Sequence, residues 1–319
     1  MYTVNAGTFD NIALDLFSFQ ARNNPVYNAW VSNLGISRAD VTRVADIPFM
    51  PISFFKQHSI KSGAWKEEVV FSSSGTTGIA TSTHHVRDLS FYLEHAEKCF
   101  NYFFGPVNQY HFLGLLPSYL ERKNSSLVAM IDYFIRKSNV NPSGFYLQDT
   151  YKLLSDIETI RKRNGKIVLF GVTFALLDLV EKTGADLSGC IVIETGGMKG
   201  RRREITRAEL HSVLRKGLNV GAIYSEYGMT ELLSQAYTRG EERFFSPPWM
   251  KIMGRDLTDP FKKGLLGETA GINVIDLANR DSVGFIETED LGKVYSDGSF
   301  EVLGRVDNSD IRGCSLLIT

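Results

Sequence analysis

The chain has 319 residues, 43% hydrophobic and 22% charged, enough apolar material for one large core or two modest ones. Its 35 Lys and Arg nearly balance 36 Asp and Glu, so no global field draws it to nucleic acid or an anionic membrane. No apolar run approaches the roughly 18 residues of a membrane span, the start MYTVNAGTFDNIALD lacks the basic and apolar regions of a signal peptide, and Cys99, Cys190 and Cys314 are too scattered for a disulfide framework or metal cage; a reducing cytoplasm is the expected setting.

Residues 9 to about 34 predict helices broken near Asn24-Pro25, with Phe9, Ile12, Leu16 and Phe19 at helical spacing. The segment 47–56, IPFMPISFFK, carries two prolines and reads as extended. The β-prone Glu68-Val69-Val70 leads into FSSSGTTG (71–78), then a returning strand over 79–84 and a helix over 88–104. The buried stripe of that helix is predicted to be Leu89, Leu93, Ala96, Phe100 and Phe103. Beyond it, strands over 110–116, 166–172, 190–194 and 220–224 alternate with helices over 125–136, 150–163, 173–182 and 204–216. The alternation predicts an α/β fold with a mostly parallel, helix-covered sheet. After Ser246-Pro247-Pro248 short strands and glycine turns take over, with a hairpin around Asp297-Gly298. The expected division is an α/β core, 1–245, and a small β-rich subdomain of that core, 246–319.

The most informative stretch is FSSSGTTG. Three serines, two threonines and two glycines in eight residues can turn a row of N–H groups and hydroxyls onto one anion, because glycine allows positive φ and close approach. No Lys-Ser/Thr pair follows at the Walker spacing, and the residues alone also fit an ordinary polar turn. The second stretch, YSEYGMTE (224–231), leaves a predicted strand and supplies a ring at Tyr227, close approach at Gly228, a hydroxyl at Thr230 and a carboxylate at Glu231. Such parts can stack a base, hold an α-phosphate and anchor a hard cation such as Mg²⁺; by itself the stretch reads as a strand-to-turn exit with a buried tyrosine. The third, ETGGMKG (194–200), sits at another strand end, where α/β sheets gather ligands. The fourth pairs ETEDLG (287–292) with GRVD (304–307), where an Asp and an Arg can hold ribose hydroxyls.

In this order FSSSGTTG, YGMTE, TEDLG and GRVD resemble the successive motifs of the adenylate-forming superfamily, which holds acyl-CoA synthetases, luciferases and peptide-synthetase adenylation domains. The resemblance covers about residue 45 to the end. It implies that a carboxylate and ATP give an acyl-adenylate and pyrophosphate, after which a thiol takes the acyl group. It further implies that Ser73, Ser74, Gly75, Thr76, Thr77 and Gly78 hold the β- and γ-phosphates. Tyr227 would lie against adenine with Gly196, Gly197 and Met198 nearby, and Gly228 and Met229 would border the nucleotide. Thr230 would contact the α-phosphate, Glu231 would bind Mg²⁺, and Asp290 and Arg305 would hold the ribose. More narrowly, IPFMPISFFKQHSI, the loop without a following lysine, TGGMKGRRREI and IRGCSLL resemble the long-chain acyl-protein synthetases (LuxE-like), which include the synthetase subunit of the bacterial bioluminescence fatty-acid reductase. That likeness implies a fatty acyl group loaded onto Cys314 and passed to a partner protein; a phenylacetate-type ligase passing it to coenzyme A or an acyl carrier protein is the alternative. A third reading is a nucleotide-binding module without turnover.

Superfamily members continue past GRVD into a lid domain with a catalytic lysine, and the expected fold here is the N-terminal domain type without that lid. Lys199, followed by Arg201-Arg202-Arg203, is the candidate for the positive charge that phosphoryl chemistry needs; the partner protein is the other source. Arg312 near Cys314 would raise the thiolate fraction of a thiol whose usual pKa is about 8.5, although that cysteine also fits a small apolar group at the edge of a last strand. The resemblance places the acid tunnel at Leu115, Leu116, Pro117, Gly171, Val172, Thr173 and Phe174, which read equally as strand-end core. His84 and His85 lack metal-ligand spacing and read as incidental, able at most to touch a phosphate.

Overall fold

The computed structural model describes residues 4–73, 81–116, 124–147, 149–196 and 205–305. Helix α1 (Phe9–Asn23) and helix α2 (Pro25–Asn33) meet at Asn24, whose extended backbone ends the first and whose side chain accepts from the Val26 and Tyr27 N–H groups, both 3.1 Å. Pro25 occupies the first turn of α2, where its missing N–H costs nothing. The Asn24 amide then donates to the Ser282 carbonyl (3.1 Å), so one buried side chain caps a helix and ties it to a distant segment. The two-proline segment forms a short extended strand, β1 (Met50–Pro51), followed by a 3₁₀ turn over Ile52–Lys56.

Strands β2 (Val69–Ser72) and β3 (Thr83–Val86) pair antiparallel as a separate two-stranded sheet that flanks the Ser/Thr/Gly loop. Helix α3 (Leu89–Phe104) follows, capped by Asp88 on the Phe91 N–H. Its buried residues are Tyr92, His95, Ala96, Cys99 and Phe100, so the stripe is rotated from the predicted one, with Leu89, Leu93 and Phe103 half-buried at its margins. Tyr92 and His95 were passed over as polar, yet both find partners inside, Tyr92 on the Ser126 carbonyl (3.1 Å) and His95 on Ser234 (2.9 Å).

The chain then builds β4 (Tyr110–Leu115), α4 (Ser126–Ser138), β5 (Gly144–Phe145), α5 (Thr150–Lys162), β6 (Lys166–Val172), α6 (Thr173–Thr183), β7 (Ile191–Thr195), α7 (Arg207–Gly217) and β8 (Ile223–Tyr227). A capping box, Thr206 with Glu209, starts α7 later than predicted. The stretch after α7 includes Asn219 at φ 52, so β8 begins at Ile223 and runs through Tyr227 instead of covering 220–224. The remaining strands are β9 (Ala236–Thr238), β10 (Phe244–Phe245), β11 (Met250–Arg255), β12 (Thr269–Asp276), β13 (Phe285–Val294) and β14 (Phe300–Arg305).

All strands except β2 and β3 join one twelve-stranded sheet in the order β11-β12-β13-β14-β10-β9-β8-β7-β6-β4-β5, with β1 on β13. Among the described residues the pairings of β4 to β8 with one another and that of β1 with β13 are parallel; those made by β9 to β14 among themselves and with β8 are antiparallel, so the sheet is mixed and not mostly parallel. The hairpin at Asp297-Gly298 forms, with Gly298 at φ 80. In the parallel half α4 packs on one face, where a Cβ on Gly114 would meet Ile131, and α6 on the other, where a Cβ on Gly171 would stand 2.7 Å from Leu176. A second core joins α1 and α2 to the antiparallel half, with the Tyr27 and Phe285 rings stacked at 6.2 Å. Among the described residues no helix is long and apolar enough to cross a membrane.

Replacing Asn24 by Ala removes the α2 cap and leaves the Ser282 carbonyl without its amide donor. Chemical denaturation should show a loss of about 2–3 kcal/mol, against about 1 kcal/mol for Ser125→Ala at the α4 cap, which bonds only the Val128 N–H; equal losses would show that the buried tie contributes nothing.

Candidate functional site

The site is organised by the turn between β8 and β9, residues 228–235, which carries most of YGMTE. Four groups from elsewhere in the chain hold it. His84 on β3 donates from Nδ1 to the Thr230 carbonyl (2.7 Å), since a carbonyl only accepts. Asn279 donates to the Glu231 carbonyl (2.7 Å). Asp276, at the end of β12, accepts from the Leu233 and Ser234 N–H groups (2.8 and 2.9 Å) and from the Ser234 hydroxyl (2.6 Å). That hydroxyl has spent its proton, so His95 donates to it from Nε2. Burial pushes both histidines below the usual range, His95 to about 4, and the Thr230 carbonyl only partly offsets the effect at His84. They act as fixed neutral donors. His84 is therefore an anchor of the turn, and the incidental reading is corrected.

The loop is held at its ends. The Ser73 N–H donates to the Ser82 carbonyl (3.0 Å), and the Ser82 N–H to the Ser73 hydroxyl (2.9 Å). Glu231 is buried, and burial raises its pKa, against the pull of the Ser82 side chain and the charges of Arg305 and Lys56. Ser82, paired with Ser73 across the foot of the loop, thus stands near the last residue of YGMTE. Ser74, Gly75, Thr76, Thr77 and Gly78 lie outside the described residues, as do Pro117, Gly197, Met198, Lys199, Arg201 to Arg203, Arg312 and Cys314.

Tyr227 ends β8 with its ring against Phe300 (5.2 Å, edge-on) and Phe244 (5.8 Å), and its hydroxyl donates to Asp290 Oδ2 (2.8 Å). Only 7% of the residue is exposed. Asp290 and Arg305 are register partners across β13 and β14, and Arg305 Nε lies 3.5 Å from Asp290 Oδ1. Burial raises the Asp290 pKa, and Tyr227 and Arg305 pull it back. Three residues singled out from separate motifs therefore form one chain of contacts, Tyr227 to Asp290 to Arg305. The Arg305 side chain is 76% exposed and free to reach a ligand.

Beside them, Gly196 ends the β7 strand at φ 73, a left-handed conformation that favours glycine. Its carbonyl lies 3.0 Å from the Thr173 hydroxyl, which is also 3.0 Å from Glu194 Oε2. Leu115, Leu116, Val172, Thr173 and Phe174 are buried, and Gly171 is filled over by Leu176, so these tunnel candidates stand in packed core at the strand ends.

Sequence reasoning missed two carboxylates on adjacent strands, Glu194 buried and Glu226 half-buried. Glu194 faces α7: burial opposes its charge, but His211, the Arg207 guanidinium at 3.2 Å and the Ser225 hydroxyl at 2.6 Å outweigh it and hold its pKa low. Glu226, one strand over, takes the opposite course. Burial pushes it up to about 7, the Thr195 hydroxyl pulls back, and the Glu194 charge adds to the rise. The Glu226 carboxyl lies over Gly228, where an added Cβ would stand 2.2 Å from Oε1. The available signal was a charged residue alternating with buried Ser225 and Tyr227 at a strand end.

No family model and no curated protein matches the sequence. Solved structures do match the fold. An open form of 2-hydroxyisobutyryl-CoA ligase in complex with 2-HIB-AMP and CoA aligns with 93% of this chain and 69% of its own at TM-score 0.69 and 10% identity. ATP-bound MatB from Rhodopseudomonas palustris aligns with 76% of this chain at TM-score 0.55 and 17% identity. O-succinylbenzoate coenzyme A synthetase (MenE) from Bacillus subtilis, bound to ATP and magnesium ion, aligns with 74% at TM-score 0.50 and 18% identity. The chain shares the fold of these ligases and synthetases. The chain spans about half the length of MatB and MenE, 49% of each.

The raised Glu226 pKa has a testable sign. Between about 4.5 and about 7 the folded state binds more protons than the unfolded one, so this group's contribution to stability falls as pH rises through that window. Denaturation curves of Glu226→Gln should converge with wild type near pH 4 and show the variant relatively more stable at pH 8; parallel curves would refute a buried, charge-averse Glu226.

Proposed function

We propose that this chain activates a carboxylic acid with ATP and passes the acyl group to a thiol. The observation that carries the reading is the tie between the β2–β3 hairpin and the turn: His84 bonds the Thr230 carbonyl, and Ser82, bonded to Ser73 at the loop foot, favours the charged Glu231, which brings the ends of the anion cradle beside YGMTE. In that site Ser73, with Ser74 to Gly78, cradles the β- and γ-phosphates through N–H and hydroxyl donors. Asp290 and Arg305 take the ribose, and Tyr227, Gly196, Gly197 and Met198 border the adenine. Gly228 and Met229 pass close to the nucleotide with their main chain. Thr230 donates to the α-phosphate.

A Mg²⁺ ion arriving with ATP needs one or two protein carboxylates beside phosphate oxygens, and Glu231 meets that need. When bound, the ion offsets phosphate charge. The acid approaches from the strand ends of Leu115, Pro117, Gly171, Val172, Thr173 and Phe174. Its carboxylate oxygen attacks the α-phosphorus, the bond to the bridging β-phosphate oxygen breaks, and pyrophosphate leaves an acyl-adenylate. A thiolate then attacks the acyl carbon and displaces AMP as a thioester forms. Lys199 supplies positive charge toward the phosphates.

Two thiols are in question. The narrower resemblance favours Cys314 and onward transfer of a long-chain fatty acyl group to a partner protein, with the chain working in the cytoplasm. Two of the matching structures are named as a CoA ligase and a coenzyme A synthetase, which favours coenzyme A, with an acyl carrier protein as a related acceptor. Label retained by the protein and lost in Cys314→Ser identifies the first; acyl-CoA formed without labelled protein identifies the second.

Acid-dependent exchange of labelled pyrophosphate into ATP is the test of activation. Glu231→Gln and Thr230→Val should each lower it by about 100-fold or more, whereas Asp290→Asn should act mainly by raising the KM for ATP. ATP binding with no exchange for any acid would sink the proposal in favour of a binding module without turnover.

A further inference from the structure

Side chains alternate along β8, so Tyr227 and Glu226 point to opposite faces of the sheet. The nucleotide contacts proposed above lie on the Tyr227 side. On the other face a polar row crosses the strand ends, because Thr195, Glu226 and Tyr237 are successive register partners on β7, β8 and β9. Gln235 joins them: its Cγ would lie 3.4 Å from a Cβ on Gly228, the same point that Glu226 Oε1 crowds at 2.2 Å.

This row is incompletely bonded. Tyr237 is 0% and Gln235 5% exposed, yet among the described residues the Tyr237 hydroxyl and Gln235 Oε1 have no hydrogen-bond partner. Native proteins seldom leave such buried atoms unpaired without a ligand or an ordered water to meet them. Aromatic rings of Phe103 and Phe104, both 5.3 Å away, enclose the Tyr237 ring, and Glu226 is the strongest electrostatic influence on its phenol after burial itself. The row is reachable, since Glu226 is only half-buried and Gly228 beside it is exposed.

Its chemistry is one-sided. The Gln235 amide already donates to the Leu233 carbonyl (3.1 Å), which turns its oxygen toward the row as an acceptor. Thr195 donates to Glu226, and among the described residues the groups acting on Glu226 are Thr195 and the like-charged Glu194. The phenol can donate or accept. The missing partner is thus a hydrogen-bond donor.

We propose that Glu226, Gln235 and Tyr237 form a polar subsite for the acid, and that the substrate carries a hydroxyl or amino group on its carbon skeleton instead of being an unsubstituted hydrocarbon acid. This rests on the ATP-dependent activation proposed above. A site built to bond such a group rejects the analogue without it, because its own buried polar atoms are then stranded.

The test is pyrophosphate exchange with matched acids, each skeleton offered unsubstituted, hydroxylated and aminated at successive positions. A substituted acid should exceed its unsubstituted counterpart in kcat/KM by about 10-fold or more. Tyr237→Phe and Gln235→Leu should each shrink that ratio, whereas damage to packing alone would lower both acids alike and leave the ratio intact. Glu226→Gln separates the two donors, costing an amino acid more than a hydroxy acid. Equal or better use of unsubstituted acids by the wild-type chain, or an unchanged ratio in both variants, would overturn the subsite while leaving activation standing. Exchange with no acid at all would overturn both.

Discussion

A carboxylate with no role in chemistry holds the candidate site together. Asp276 at the end of β12 accepts two successive backbone N–H groups and a hydroxyl from Leu233 and Ser234, fixing the turn that follows YGMTE. His95 completes the network from α3, while His84 and Asn279 hold the carbonyls of Thr230 and Glu231. Because the groups are buried, each lost partner leaves another polar atom stranded, and the network resists piecemeal change. The β2–β3 hairpin, α3 and the antiparallel half of the sheet are thereby positioned relative to one turn.

From that turn the two faces of β8 diverge. One leads through Tyr227 to Asp290 and Arg305, the other through Glu226 to Gln235 and Tyr237. Thr230 and Glu231 stand where the faces part. A nucleotide on one side and an acid on the other would meet there, with the acid's carboxylate directed at the α-phosphorus. Positioning of this kind accounts for much of what an enzyme adds to an in-line displacement. The contrast between Glu194, held charged by His211 and Arg207, and Glu226, which among the described residues meets only Thr195 and a like charge, shows how the same side chain on neighbouring strands takes opposite protonation behaviour from its surroundings.

Much of the parallel half was legible because its signals are local. The apolar run KIVLFGV is β6 at its predicted bounds, and α5 starts at the predicted Thr150 behind its Asp149 cap. The antiparallel half was harder, since β9 and β10 are three and two residues long and carry no periodicity. The register of β8 slipped because the residues between α7 and the strand, with Asn219 in a left-handed conformation, do not announce themselves as a turn. In the site, Tyr227, Asp290 and Arg305 were singled out by their residue types and by the motifs of the family resemblance, and the structure brings them into contact. His84, His95 and Asp276 were not, because their partners lie far along the chain, 146 residues away in the case of His84. Glu226 was overlooked for a different reason: sequence alone does not reveal which charges surround a strand-end glutamate.

The central claim is that one nucleotide bridges the Ser/Thr/Gly loop and the YGMTE turn. Amide hydrogen exchange with and without Mg-ATP tests it directly. Protection should rise together at the loop ends around Ser73 and Ser82, at the turn from Gly228 to Gln235, and around Asp290 on β13. Protection confined to one of these segments, with the others exchanging as in the free protein, would contradict the account.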